Sequence, residues 1–296
     1  MFIVESWIIL TLLAAGMASV GSVYDRYIIE NELKNTDTLL VLWGFFTGIM
    51  FCAPAILTNS IVFNYTTLIL GAISGALYYA AMHCYYKAVQ SGEISRVTPI
   101  LAMNPVLVLI LATLFLNEIH TPIKYLGITL IIIGVIIHTI DREHHRLVSK
   151  KLLLMGFLAA SLFATKNILA KVMSLAEITP LNTLFWIGLF IFIINIPTVL
   201  IEGNKLRSKK LHDLPEIATA ATIAGAGTLV YTAAITIGPV ALVTFLEKIS
   251  LLFIFLISEI IDFLNPKILH EKFVKSAFYQ KLIGVIIILI GSYLLV

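Results

Sequence analysis

The sequence predicts an all-α membrane protein of ten transmembrane helices, arranged as two inverted five-helix repeats. Three observations carry this prediction. Of the 296 residues, 59% are hydrophobic and only 12% are charged, and the mean hydropathy is +1.00; a soluble domain is about 25% charged. The apolar residues gather into ten segments of the roughly 20 residues that cross a bilayer core. Parts of the first half return in the second at nearly constant offsets. The net charge of +3 is small, and the basic clusters lie in short connections between apolar segments, which excludes a nucleic-acid partner and leaves the lipid bilayer. Cys52 and Cys84 both fall in apolar segments, where a cysteine acts as a small hydrophobe, so neither reports on a redox compartment.

In chain order the segments are 7–29, 38–57, 66–89, 97–116, 122–140, 152–175, 180–201, 215–237, 240–263 and 278–296. The start, "MFIVESWIILTLLAAGMASV", carries Glu5 and no basic residue ahead of its apolar run, so it reads as a retained helix and not as a cleaved signal. Runs such as "LGITLIIIGVII" are apolar on every side, whereas barrel strands alternate. The linker "DREHHRLVSKK", Asp141 to Lys151, holds His144 and His145 among charges and reads as a solvated connection, not a metal site. It separates repeat 1–141 from repeat 151–296, and no stretch remains for a soluble domain.

The repeat is visible in three patterns. Trp43 stands 11 residues before Pro54, as Trp186 does before Pro197, an offset of 143. "KYLGITLIIIG", with Lys124, Gly127 and Gly134, returns as "KLIGVIIILIG", with Lys281, Gly284 and Gly291, at an offset of 157. The stretch from Leu12 to Arg26 is echoed by Phe157 to Lys171 at 145. An odd number of helices per half makes the two copies enter the membrane from opposite sides, the inverted-repeat architecture of many secondary transporters, whose sites lie near the midplane at the repeat interface.

One segment carries a family resemblance. "AVQSGEISRVTPILAMNPVLVLILATLFLNEIHTPIKYLGITLIIIGVII", Ala88 to Ile137, has Pro99, an Asn104-Pro105 pair inside helix 4, Glu118 at its end and the Gly127/Gly134 pair. It resembles the fourth and fifth helices of the EamA-type, ten-helix drug/metabolite transporters. The second copy departs from the pattern: Leu251 stands where Pro105 would be, at the offset of 146 set by Gly92 and Gly238, and the longer connection that follows leaves Glu259 or Glu271 to match Glu118. The resemblance implies a carrier with a central cavity, cytoplasmic termini and no cofactor. It implies export of amino acids or related metabolites, but the family moves very different solutes and does not name the substrate.

Charge inside a bilayer costs about 2.5–3.5 kcal/mol per residue on insertion scales, so such residues face the bundle interior and find partners. Lys166 lies deep in the sixth segment and Glu247 lies at a matching depth in the ninth, which predicts that they pair, either as a structural bridge or as part of a substrate site. Lys248 follows Glu247 and points away, toward another helix, the lipid interface or substrate. In "YYAAMHCYYKAV", Tyr78, Met82 and Tyr85 or Tyr86 share one helical face, and Tyr79, His83 and Tyr86 share the next. Tyr79 and His83 suit a cavity that grips a polar solute; the alternative is an interfacial aromatic belt. Asn104-Pro105 frees a carbonyl inside helix 4, for packing or for a ligand. Gly16, Ser19, Gly21, Gly71 and Gly75 read as close-contact positions.

No GxSxG, HExxH or P-loop is present, so neither hydrolysis nor ATP-driven transport has a motif. The function expected is secondary transport of a small polar metabolite such as an amino acid, with proton or ion coupling open. Multidrug or cation efflux is the alternative; an intramembrane enzyme or a structural membrane protein would be of another class. As to orientation in the cell membrane, sixteen Lys and Arg follow odd-numbered segments against two, Lys124 and Lys171, after even ones. The positive-inside rule therefore puts both termini outside the cytoplasm, opposite to what the resemblance implies.

Overall fold

The computed structural model describes residues 2–31, 36–90, 100–101, 103–119, 121–139, 150–207, 214–264 and 275–294. Pro99, Glu271 and the His144–His145 linker lie outside them, as do the side chains of Arg26, Glu259 and Lys281. All regular structure among the described residues is helical. The helices are α1 (Phe2–Asn31), α2 (Thr36–Leu57), α3 (Tyr65–Gln90), α4 (Asn104–Leu116), α5 (Pro122–Thr139), α6 (Lys150–Leu175), α7 (Pro180–Arg207), α8 (Leu214–Ile237), α9 (Val240–Leu246), α10 (Ser250–Leu264) and α11 (Lys275–Tyr293). Six of them, α1–α3 and α6–α8, are long and apolar enough to cross a membrane; α4, α5 and α11 hold shorter apolar stretches. Asn59, Asn117 and Glu177, with φ of 51°, 52° and 61°, turn the chain just after α2, α4 and α6. In each case the left-handed residue stops the helical ladder.

Two expected helices are broken. The segment 240–263 is divided into α9 and α10 by a 3₁₀ turn at Glu247–Ile249, and in the segment 97–116 a turn at Met103 separates helical Ile100 and Leu101 from α4, which starts at Asn104. At the offset of 146, Asn104 and Ser250 are equivalent positions, and each starts a helix. In the first half the cause is covalent: Pro105 has no N–H to continue the ladder, and Met103 N–H turns back to the Ile100 carbonyl at 3.1 Å. In the second half Leu251 has no such defect, and the break lies on the acid–base pair itself. Ser19 Oγ of α1, 2.9 Å from the Ser250 carbonyl, answers part of the disturbed backbone.

Helix pairing follows a pattern. The main contacts are α1 with α8, α3 with α6, α2 with α7, and α5 with α11, joined by α3 with α7, α2 with α8, α4 with α6 and α1 with α10. Counting α9–α10 as one broken helix, exchanging each helix for the one five places on leaves this set of pairs unchanged. The α5–α11 crossing shows why glycine is needed there. A Cβ on Gly134 would lie 2.7 Å from the Gly284 carbonyl oxygen, and one on Gly291 would lie 2.7 Å from that of Gly127. The backbones touch directly, as at other small-residue helix contacts. Gly21 against Ala224, and Gly71 against Trp186, do the same elsewhere, whereas Gly16 has no neighbour within 4 Å.

Buried side chains form two main clusters. One joins α1, α4, α5, α6, α8, α9, α10 and α11; the other joins α1, α2, α3, α7 and α8. Tyr231 packs on the first, Tyr78 belongs to the second, and the ammonium of Lys166 lies between them.

Candidate functional site

Lys166 is 3% exposed on α6. Its Nζ stands 4.9 Å from the ring centroid of Tyr78 on α3 and 5.8 Å from that of Tyr231 on α8. Among the described residues no carboxylate or hydrogen-bond acceptor holds it. Two aromatic faces attract a cation by about 0.5–2 kcal/mol each, which offsets only part of the cost of removing an ammonium from water. The centre is electrostatically incomplete and favours an incoming anion.

The two tyrosines are fixed by directed hydrogen bonds. Thr228 Oγ1 donates to the Ala224 carbonyl at 2.9 Å, so Tyr78 OH, 3.2 Å away, donates to Thr228. Thr244 Oγ1 likewise donates to the Val240 carbonyl at 2.8 Å and accepts from Tyr231 OH at 2.9 Å, while Asn167 Nδ2 donates to Tyr231 OH at 3.1 Å. A chain thus runs from Asn167 through Tyr231 and Thr244 to the backbone of α9. An ammonium can only donate, and among the described residues neither phenol oxygen accepts from Lys166, whose contacts are with the two ring faces.

The expected Lys166–Glu247 ion pair is not formed. Glu247 Oε2 lies 2.7 Å from Lys248 Nζ, with both side chains about one fifth exposed. Tyr231 sets its ring against Lys166, and its hydroxyl is bonded to Thr244, three residues before Glu247. The long lysine side chain folds back within the 3₁₀ turn, so Lys248 does not point away as an unbroken helix predicts.

The other expected residues have different surroundings. Tyr79 is buried, its hydroxyl 3.0 Å from Asn195 Oδ1 and 3.1 Å from Thr198 Oγ1, and Asn195 Nδ2 donates to the Val41 carbonyl at 2.8 Å. This network ties α2, α3 and α7 together. His83 is exposed one turn on, near the Lys87–Asp37 bridge of 2.6 Å. Asn104, buried, donates to the Ala160 carbonyl of α6 at 2.9 Å, a packing bond.

Glu118 has a definite task. Its carboxylate accepts from Val240 N–H at 3.0 Å and from Ala241 N–H at 3.5 Å, capping the positive end of α9. Lys171 donates to the Gly238 carbonyl at 2.7 Å, and Ser174 to that of Thr236 at 2.7 Å, at the negative end of α8. The Gly238-Pro239 turn is held from α4 on one side and from α6 on the other.

Sequence reading missed Asn167, Tyr231, Thr244 and Asp25. The first three are uncharged residues without a motif. Asp25, next to Arg26 at the end of the first apolar span, is partly buried.

Long apolar helices with a buried ammonium at their centre define a multi-pass membrane protein. The EamA-like transporter family matches residues 5–140. An uncharacterized protein of Methanocaldococcus jannaschii is 32% identical over 140 residues, which are 98% of its length and 46% of this chain. A solved crystal structure shares the fold with a TM-score of 0.73 at 13% identity, over 98% of this chain and 96% of its own. The chain belongs to the EamA-like transporter family, within the drug/metabolite transporter superfamily, and is a membrane transporter of that type.

Proposed function

We propose that the protein is a secondary carrier that exports a small polar metabolite such as an amino acid, by alternating access through a central cavity between two inverted five-helix repeats, 1–141 and 151–296. The observation that carries this reading is Lys166, an ammonium buried among helices α3, α6 and α8 with two tyrosine faces and, among the described residues, no anion. A cargo carboxylate completes that centre. Glu247, three residues after the Thr244 that holds Tyr231 and exposed enough to exchange Lys248 for another cation, receives the amino group. The helix exchange that preserves the pairing, and the breaks at Asn104 and Ser250, support the two-repeat, ten-span architecture. The bias of basic residues supports termini outside the cytoplasm; labelling of Ser208→Cys from outside intact cells would reverse that orientation.

Hydrophobic-cation efflux is the second reading. Asp25, a partly buried acid in the first apolar span, favours it, and the ammonium of Lys166 opposes it. Counterflow in proteoliposomes with pooled labelled solutes, with and without a pH gradient, tests the proposal. Exchange of amino acids that is abolished by Lys166→Met and by Glu247→Gln supports it; transport unaltered in both variants overturns it.

A further inference from the structure

We infer that Glu118 is a positioning residue for transport: its carboxylate latches the first half of the chain onto the start of α9, and this latch opens and closes in each transport cycle. The inference rests on the carrier reading for its use and on hydrogen-bond geometry for its existence. The bonds from Val240 N–H and Ala241 N–H, at 3.0 and 3.5 Å, reach across 122 and 123 positions of the chain. On its own side the latch is firmly mounted. Asn117, with φ of 52°, ends α4, and Glu118 N–H is itself bonded to the Ala112 carbonyl at 3.3 Å.

The part that the latch holds is built to move as a unit. α9 has seven residues, all buried, and a break in the helical ladder at each end: extended Pro239 before it, with φ of −65° and ψ of 121°, and the 3₁₀ turn after it. Its neighbours are anchored differently. Lys171 and Ser174 of α6 hold the Gly238 and Thr236 carbonyls at 2.7 Å each, and Gly238 lies so close to Trp7 of α1 that a Cβ there would be 2.8 Å from the indole. These contacts fix the end of α8 up to the joint. Beyond the joint, α9 is tied to α4 through the side chain of Glu118.

Two features make the tie reversible and give it a use. A cavity of about 220 Å³ lies at the latch, lined by Glu118, Ile119, Thr121, Lys124, Pro239 and Leu242. Water entering there can take over the N–H groups, so release exchanges one hydrogen bond for another and leaves no orphaned donor. The second feature is Val240. Its N–H is held by Glu118, and its carbonyl accepts from Thr244 Oγ1 at 2.8 Å; that oxygen accepts from Tyr231 OH at 2.9 Å, and the Tyr231 ring faces Lys166. One residue therefore joins the latch to the support of the buried ammonium. A tilt of α9 that frees Glu118 also shifts the Tyr231 ring, which links the filling of the Lys166 site to the opening of this end.

The test uses the purified full chain in lipid nanodiscs, with the free cysteines Cys52 and Cys84 replaced by serine. Ala241→Cys places a reporter under the latch, and Ala81→Cys places a control on α3; both positions are 0% exposed. The rate of reaction with a sulfonated maleimide is followed by mass spectrometry. Glu118→Ala should speed labelling of the Ala241→Cys reporter by about tenfold or more, the factor that one hydrogen bond to a charged group represents. The Ala81→Cys control should be unchanged, and Glu118→Gln should fall between. Equal rates with and without Glu118, or equal acceleration at both positions, would overturn the inference, since a cap that only stabilises the fold opens no local path. Hydrogen exchange of the Val240 and Ala241 amides, which needs no cysteine, should likewise quicken by about tenfold in Glu118→Ala; unchanged exchange would also overturn it.

Transport supplies the other arm. Glu118→Ala should lower the maximum rate of amino-acid exchange by about tenfold while the half-saturating concentration stays within about twofold, because the cargo contacts are intact. An unaltered maximum rate would overturn the latch and leave the carrier reading standing. Faster labelling in a protein that exchanges no amino acid would keep the latch and remove that reading.

Discussion

The breaks before α4 and before α10 begin their helices at equivalent positions, Asn104 and Ser250, but are made differently. The first is built from a proline and a neutral amide that is already committed to the Ala160 carbonyl. It is permanent, because no rearrangement gives Pro105 an N–H. The second is a 3₁₀ turn on Glu247–Ile249, with a solvated ion pair and no proline. It can tighten or relax, since 3₁₀ and α differ by one residue of hydrogen-bond offset, and 3₁₀ stretches inside helices often mark hinges. One geometry thus serves two purposes: a fixed support in the first half and a responsive element next to Tyr231 in the second.

The largest effects should separate the two breaks. Asn104→Ala removes the buried hydrogen bond to the Ala160 carbonyl, which keeps its partner in the α6 ladder, and should cost about 0.5–1.5 kcal/mol of stability, read as a lower melting temperature in detergent, with transport by the folded fraction retained. Glu247→Gln should do the opposite, slowing exchange by about 100-fold, the equivalent of some 2.7 kcal/mol, at nearly unchanged melting temperature. Equal loss of transport in both would mean that the two breaks share one role.

Much of the fold was legible because periodicity and offset are sequence properties. The Gly127/Gly134 and Gly284/Gly291 pairs predicted a repeated contact, and the structure crosses those very helices at backbone distance. The site was less legible. Lys166 stood out, since a lysine amid "SLFATKNILAKV" has few structural uses, but its rings, Tyr78 and Tyr231, come from helices 88 and 65 positions away in the chain. Depth arithmetic put Glu247 near Lys166 but could not see that Lys166 would meet the Tyr231 ring and Glu247 would pair with Lys248. Nor could it see that a 3₁₀ turn would let Lys248 fold back on its neighbour. Tyr79 misled for a related reason: a hydroxyl on a helix looks the same whether it meets solute or, as here, Asn195.

A smaller effect tests whether the second break depends on its support from the first half. Glu118→Ala removes the cap on α9, and loss of an N-terminal cap costs about 0.5–2 kcal/mol. Glu118→Gln keeps an acceptor and should recover about half of that. The measurement is the melting temperature of each variant; equal values for alanine and glutamine would show that the carboxylate does not cap α9.

The smallest effect is expected where the sequence would suggest the largest. Leu251→Pro places in the second half the residue that the first half has at Pro105. Inside a continuous helix a proline costs about 3 kcal/mol, because it removes a hydrogen bond and crowds the carbonyl four residues back. Leu251 is the second residue of α10, directly after the 3₁₀ turn, and in the first turn of a helix the missing N–H is tolerated. The cost should therefore be about 1–2 kcal/mol, most of it from trimming a side chain that is only 8% exposed in the core. If the break must relax toward α-helix during transport, the proline locks it, and exchange should fall well beyond what the small loss in melting temperature explains. Unchanged exchange would show that the second break, like the first, is only a support; a full 3 kcal/mol loss would show that helix 9 is continuous in the membrane.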